Sequence, residues 1–155
     1  MPIKLFTSEI LFLLILVSGT ATAQVKSLCE KYENVVWSCQ AKKKFYSICA
    51  SKDLTETKGY LQYRAGTLDR IELKYPPVLQ HPKGQFEYEL LAHGAILIFK
   101  NGLYIYEISE DLIGQPRIRV SKDEKDIASF RCGDSTQSLT NNSTIEIFRT
   151  VGAYQ

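Results

Sequence analysis

The chain has 155 residues and a formal net charge of +2, with 19 basic against 17 acidic side chains. That length is enough to bury a hydrophobic core and suits one domain. So small a charge gives no argument for nucleic acid or an anionic membrane, so neither is expected as a partner.

The first element is a leader. A short polar start with Lys4 precedes the apolar run 10–17, and small residues follow, ending Ala21-Thr22-Ala23. This is the layout of a signal peptide, residues 1–23, cut before Gln24. The apolar run has eight residues, whereas a membrane-crossing helix needs about 20. Because Gln24, not cysteine, follows the cut, the lipid-attachment signal is missing. The expected product is a periplasmic or secreted single β domain, residues 24–155, with no membrane span.

Residues 24–34 read as a short N-terminal helix, after which the pattern turns to period two. Residues 35–40 and 45–50 form a first expected hairpin around Lys42-Lys43-Lys44. Residues 59–64 and 68–75 form a second, joined across Ala65-Gly66-Thr67, with Ile71, Leu73 and Tyr75 as its inward set. Pro76-Pro77 stops that strand. A loop holding His81-Pro82 leads to a strand at 85–91.

The strongest local signal is 95–100, Asn101-Gly102, 103–108, a hairpin with a type I′ turn. A turn centred there sets Phe99 opposite Tyr104 and Leu97 opposite Tyr106. Both faces are apolar near it, so the pair is expected at the centre of a sheet or covered on both sides. Residues 116–121, 127–132 and 144–149 read as three more strands, and the tail beyond Arg149 as loose. The fold class is therefore all-β: an antiparallel β-barrel or β-sandwich of about eight to nine short strands, with two disulfides.

The disulfides follow from Cys29, Cys39, Cys49 and Cys132, an even count with two histidines and no C-x-x-C, which favours bridges over a zinc site. Three pairings are possible in principle. Setting Cys39 opposite Cys49 across the first hairpin turns both sulfurs to one face, so the expected pairing is Cys39 with Cys49 and Cys29 with Cys132.

No catalytic set is evident, so no enzyme and no cofactor is expected. His81 and His93 lie in loops outside any nucleophile or metal motif. The carboxylate pairs Glu87 with Glu89, and Glu110 with Asp111, read more simply as solvated strand faces than as acid and base. Tyr60 with Tyr63 and Tyr104 with Tyr106 alternate along strands, which suits packing and also suits a stripe that meets a protein or glycan. Lys42, Lys43 and Lys44 make a turn that can meet an acidic surface. Asn141 and Asn142 each begin a glycosylation sequon, which acts only in a eukaryotic secretory route.

Trp37-Ser-Cys39, residues 47–53, residues 59–64, Ile71-Glu-Leu, Tyr75-Pro76 and residues 99–106 together resemble an uncharacterised family of small exported proteobacterial proteins. That resemblance implies a periplasmic location and a β fold and implies no activity. The chain is more weakly similar to periplasmic inhibitors of c-type lysozyme, small disulfide-linked β-barrels, but lacks their Ser-Gly loop motif, so no inhibitory residue carries over. The expected function is a non-catalytic binding or inhibitor module whose partner is a protein or an envelope glycan. An immunity protein that binds a toxin is the alternative, and a cell-envelope hydrolase a third reading.

Overall fold

The computed structural model describes residues 26–133 and 135–155, so the leader expected at 1–23 lies outside the described residues. Ten strands run in chain order: β1 (Asn34–Ala41), β2 (Lys44–Ala50), β3 (Leu61–Thr67), β4 (Arg70–Tyr75), β5 (Glu87–Leu91), β6 (Gly94–Asn101), β7 (Tyr104–Asp111), β8 (Arg117–Lys122), β9 (Lys125–Arg131) and β10 (Ser135–Gln137). One helix, α1 (Asn142–Thr150), follows. The strands form two antiparallel five-stranded sheets, ordered β10-β1-β2-β3-β4 and β5-β6-β7-β8-β9. Neither sheet closes on the other, so of barrel and sandwich the fold is the sandwich.

The alternation of side chains decides the layers. Trp37, Ile48, Tyr63 and Tyr75 form one inward row across the first sheet. Leu97, Ile108 and Ile118 form an inward row across the second, and all three are buried. Trp37 meets Glu110, which pairs with Ala95, while Tyr63 and Tyr75 meet Phe99 further along the same strand. A row across one sheet thus follows a strand of the other, so the strands of the two sheets cross steeply. Phe99 is the centre of this packing, stacked on Tyr106 at 4.8 Å and on Tyr75 at 4.6 Å. The half-buried Ile71, Leu73 and Tyr75 are the inward set of β4, as their alternation predicts.

Several expectations are corrected. The disulfides are Cys29–Cys49 and Cys39–Cys132. The first hairpin closes at Ala41 opposite Lys44, which puts Cys39 opposite Tyr46 and Cys49 opposite Val35. This odd-numbered change of register from the expected one turns the two sulfurs to opposite faces. Cys39 then crosses the core to Cys132, and Cys49 meets Cys29 on the outer face.

Residues 26–33 form no helix. Their polar groups are spent on the outer face of the first sheet instead: the Leu28 N–H donates to Ser47 Oγ at 3.0 Å and the Lys26 carbonyl accepts from Ser38 Oγ at 3.1 Å.

At the other end of the chain, the strand expected at 144–149 is α1. The Asn141 side chain caps it by accepting the Ser143 N–H, and Thr144, Ile145 and Phe148 face inward at helical spacing. Phe148 stacks on Tyr88 at 4.6 Å. The tail is not loose: the Tyr88 N–H donates to Ala153 at 2.7 Å, and the Gln155 N–H donates to Tyr88 at 2.9 Å. The tail thereby covers part of the β5 edge.

Two turns also sit one or more residues from their expected places. The second hairpin turns at Leu68 and Asp69, and Gly66 (φ +156) sits opposite a bulge at Glu72 of β4. The β6–β7 turn is Gly102 and Leu103, so Phe99 faces Tyr106 rather than Tyr104, and Leu97 faces Ile108 rather than Tyr106. Gly102 (φ +62) fills the first central position of that two-residue loop, the place a type II′ turn reserves for glycine. The partners shift by two, so each side chain keeps its expected face. The pair β6–β7 is internal to its sheet, but its outer face is not covered, since Ile105 is 42% exposed.

Candidate functional site

The turn between β1 and β2 consists of Lys42 and Lys43, with Lys42 at φ +56, a left-handed conformation that a side chain makes costly. It projects over the end of β9, where the Cys39–Cys132 bridge ties the two sheets together. Between turn and strand lies an open groove of about 730 Å³, with Ala41–Lys44 residues on one wall and 128–131 on the other. Tyr46 and Phe130 form its floor, with ring centroids 4.9 Å apart. A second hollow of about 360 Å³ shares Ala41, Lys42 and Arg131 and extends to Gln115 and Gly133.

The charge of this groove is one-sided. Lys44 is engaged with Glu72 across the sheet; that bond holds the ammonium pKa up and the Glu72 carboxyl down. Lys42, Lys43 and Arg131 make no ion pair among the described residues, and all three are exposed. Burial raises the Tyr46 phenol, so the floor stays neutral at ordinary pH. Two cations over an aromatic floor with a third at its rim, all without an ion pair among the described residues, suit an anionic group whose carrier has some apolar body.

The other titratable clusters are structural. Glu33 is buried beneath the N-terminal segment, and each of its carboxylate oxygens accepts two hydrogen bonds. Oε2 takes Arg64 Nη1 (2.7 Å) and the Glu30 N–H (2.6 Å), while Oε1 takes Arg64 Nη2 (2.6 Å) and the Tyr60 hydroxyl (2.6 Å). Burial, the largest single influence, raises its pKa, but Arg64, Tyr60 and the Glu30 amide together outweigh it and hold the carboxyl below its ordinary value. The Tyr60 phenol is pushed up to about 12 by burial and by the bond it donates to Glu33. Glu33 also lies close to the sulfurs of Cys29 and Cys49. Those sulfurs are bonded to each other and so are not thiolate ligands, and the carboxylate oxygens already accept two bonds each, so the trio does not make a metal site.

Glu110 is buried as well. Its Oε2 accepts the Trp37 indole N–H at 3.1 Å and the Leu139 N–H at 3.0 Å, while its neighbour Asp111 is exposed. The two therefore do not act as a pair. Glu87 and Glu89 lie exposed on β5. His81 Nε2 meets the Thr55 carbonyl at 3.1 Å, and His93 is exposed in the β5–β6 turn.

The aromatic alternation serves packing more than display. Tyr63 is fully buried against Phe99, Tyr106 is half-buried, and Tyr60 is tied to Glu33; Tyr104 alone of the four is exposed, beneath Lys122. Of the singled-out residues, the groove therefore gathers Lys42, Lys43 and Lys44 and leaves the tyrosines elsewhere. Sequence reasoning missed Tyr46, two residues past Lys44, and Arg131 and Phe130, which the fold brings to the turn beside the Cys39–Cys132 bridge. No family model, no curated protein and no solved structure matches this chain.

Proposed function

We propose that the protein is a non-catalytic, exported binding module that holds an anionic partner in the groove between the β1–β2 turn and β9. The observation that carries this reading is the convergence of Lys42, Lys43 and Arg131, unpaired among the described residues, on a groove floored by Tyr46 and Phe130. A cleft lined by one sign of charge concentrates field and attracts the opposite sign, even on a molecule of small net charge. Export is supported by the two disulfides, which persist in oxidising compartments. Among the described residues no helix is long and apolar enough to cross a membrane.

Binding rather than catalysis is favoured because neither histidine bonds to an acidic side chain among the described residues, and the buried carboxylates Glu33 and Glu110 are occupied by structural donors. An inhibitor or immunity protein belongs to the same class of module, and partner identity separates the two. The test is capture from an envelope extract by the wild-type protein and by Lys42→Glu/Lys43→Glu/Arg131→Glu, each in low and high salt. A partner retained by the wild type at low salt and lost on either change is the expected result. Retention that ignores both salt and charge reversal overturns the groove. Lysozyme assays against c-, g- and i-type enzymes address the inhibitor version separately, and no inhibition by the purified protein sinks it.

A further inference from the structure

The groove wall contributed by β9 is also a sheet edge, and the two halves of that edge differ. Its first half, from Lys125 to Ile127, carries alternating charge and a bulge: Ser121 pairs with Asp126 and Val120 with Ala128, leaving Ile127 as the extra residue. Charges and bulges are the usual means by which an edge is kept from pairing with a foreign strand. The second half, 128–131, is regular, paired with no further strand among the described residues, and lined by the small Ala128 and Ser129.

The register shows which backbone groups this half offers. The Cys132 N–H donates to the Pro116 carbonyl at 2.8 Å. In an antiparallel ladder, residues bonded to the neighbouring strand alternate with residues whose N–H and C=O face away. Counting back from Cys132, Phe130 and Ala128 face β8, and Arg131 and Ser129 turn their N–H and C=O groups to the open edge. Four residues at roughly 3.3 Å each give about 13 Å of edge. The opposite edge of the same sheet, at β5, is by contrast partly covered by the protein's own tail.

We infer that the occupant of the groove is an extended acidic polypeptide segment that adds as a strand to the free edge of β9. This rests on the anionic-partner reading above and names its chemistry. Main-chain bonds to Ser129 and Arg131 supply register, and the alternate side chains of the added strand divide between the two faces. Those on the Phe130 face reach Tyr46, Phe130 and the facing lysine turn, while acidic ones on the other face meet Arg131. A glycan presents charge to the same wall but has no amide ladder to complete the edge.

The test uses a fluorescent eight-residue peptide of alternating Glu and Val, a matched peptide with alternate amides N-methylated, and a sulfated oligosaccharide, each read by anisotropy with the full mature chain. The unmodified peptide is expected to bind, and N-methylation to weaken it about tenfold or more, the worth of one or two main-chain bonds. Ser129→Pro deletes the outward N–H at an edge position that tolerates proline. It is expected to weaken the peptide to the same extent and to leave the oligosaccharide unchanged, with an unaltered melting temperature as the folding control. Equal binding of the N-methylated peptide, or binding of the oligosaccharide alone, overturns strand addition and leaves the anionic groove standing. Failure of all three probes overturns both. A dimer of the chain that Ser129→Pro dissolves, without peptide binding, assigns the edge to a second copy and equally overturns the acidic segment.

Discussion

Replacing Glu33 with Gln isolates the buried ion pair beneath the N-terminal segment. Because Arg64 donates to both oxygens of the carboxylate, an amide must turn its NH₂ toward an Arg64 N–H whichever way it is flipped. Arg64, whose side chain is 5% exposed, then keeps a buried charge without a counter-charge. Removing one partner of a buried pair costs about 3–5 kcal/mol. For a chain of this size each kcal/mol moves the melting temperature by about 3–4 °C, so a fall of about 10–20 °C is expected.

Arg64→Met should cost a similar amount, and the double variant less than the sum, since it leaves no lone charge. The pH dependence carries a second signature. The folded-state pKa of Glu33 lies below its ordinary value of 4.5, so its contribution is complete above that value and lost as pH falls through the lower, folded one. Thermal melts from neutral pH down to about pH 2 should show a steeper loss for the wild type than for Glu33→Gln. Additive single variants, or a Glu33→Gln melt within about 3 °C of wild type, would refute the reasoning.

The other expectations are independent of that pair. Removing Cys39–Cys132, which encloses 93 residues, should cost more than removing Cys29–Cys49, which encloses 20. The chain-entropy difference is about 4.6 against 3.3 kcal/mol, and urea titration of the two double-Ser variants gives the order. Glu110→Leu leaves the Trp37 and Leu139 N–H groups unpaired and should cost about 2–4 kcal/mol. Trp37 is the single tryptophan, so a red-shifted emission reports the opening directly. Lys42→Gly relieves the left-handed backbone of the basic turn and should raise stability by about 0.5–1 kcal/mol in the same titration. Partner binding should meanwhile fall, because an unpaired cation is lost.

The layers of the sandwich were legible because alternation is a local property. Ile71, Leu73 and Tyr75 reveal the face of β4 without knowledge of any other strand. A turn misplaced by one residue at Gly102 moved partners by two and left every face intact. At the first hairpin the expected and actual registers differ by an odd number, which swapped the face of Cys49 and with it both disulfides.

Helix α1 was obscured by Ile145 and Ile147, whose spacing imitates a strand. Thr144, Phe148 and Val151 carried the helical spacing, and Asn141 its cap, but the asparagines also spelled sequons. The candidate groove was half legible. Three adjacent lysines mark its turn, whereas Arg131 and Phe130 reach it through a fold-level contact that no short motif encodes. Glu33 and Glu110 were invisible as buried groups, because a lone acid beside a strand gives no local sign of the donors awaiting it.

The two bridges interlock: each closes a ring that contains one cysteine of the other. A chain that emerges N-terminus first presents Cys29, Cys39 and Cys49 long before Cys132, and oxidation in order of appearance joins Cys29 to Cys39. That product is non-native. Native pairing is reached if Cys29 waits for Cys49 and Cys39 for Cys132, or if a thiol catalyst reopens the early bond, so the yield of correctly paired protein should rise with the supply of such an isomerase.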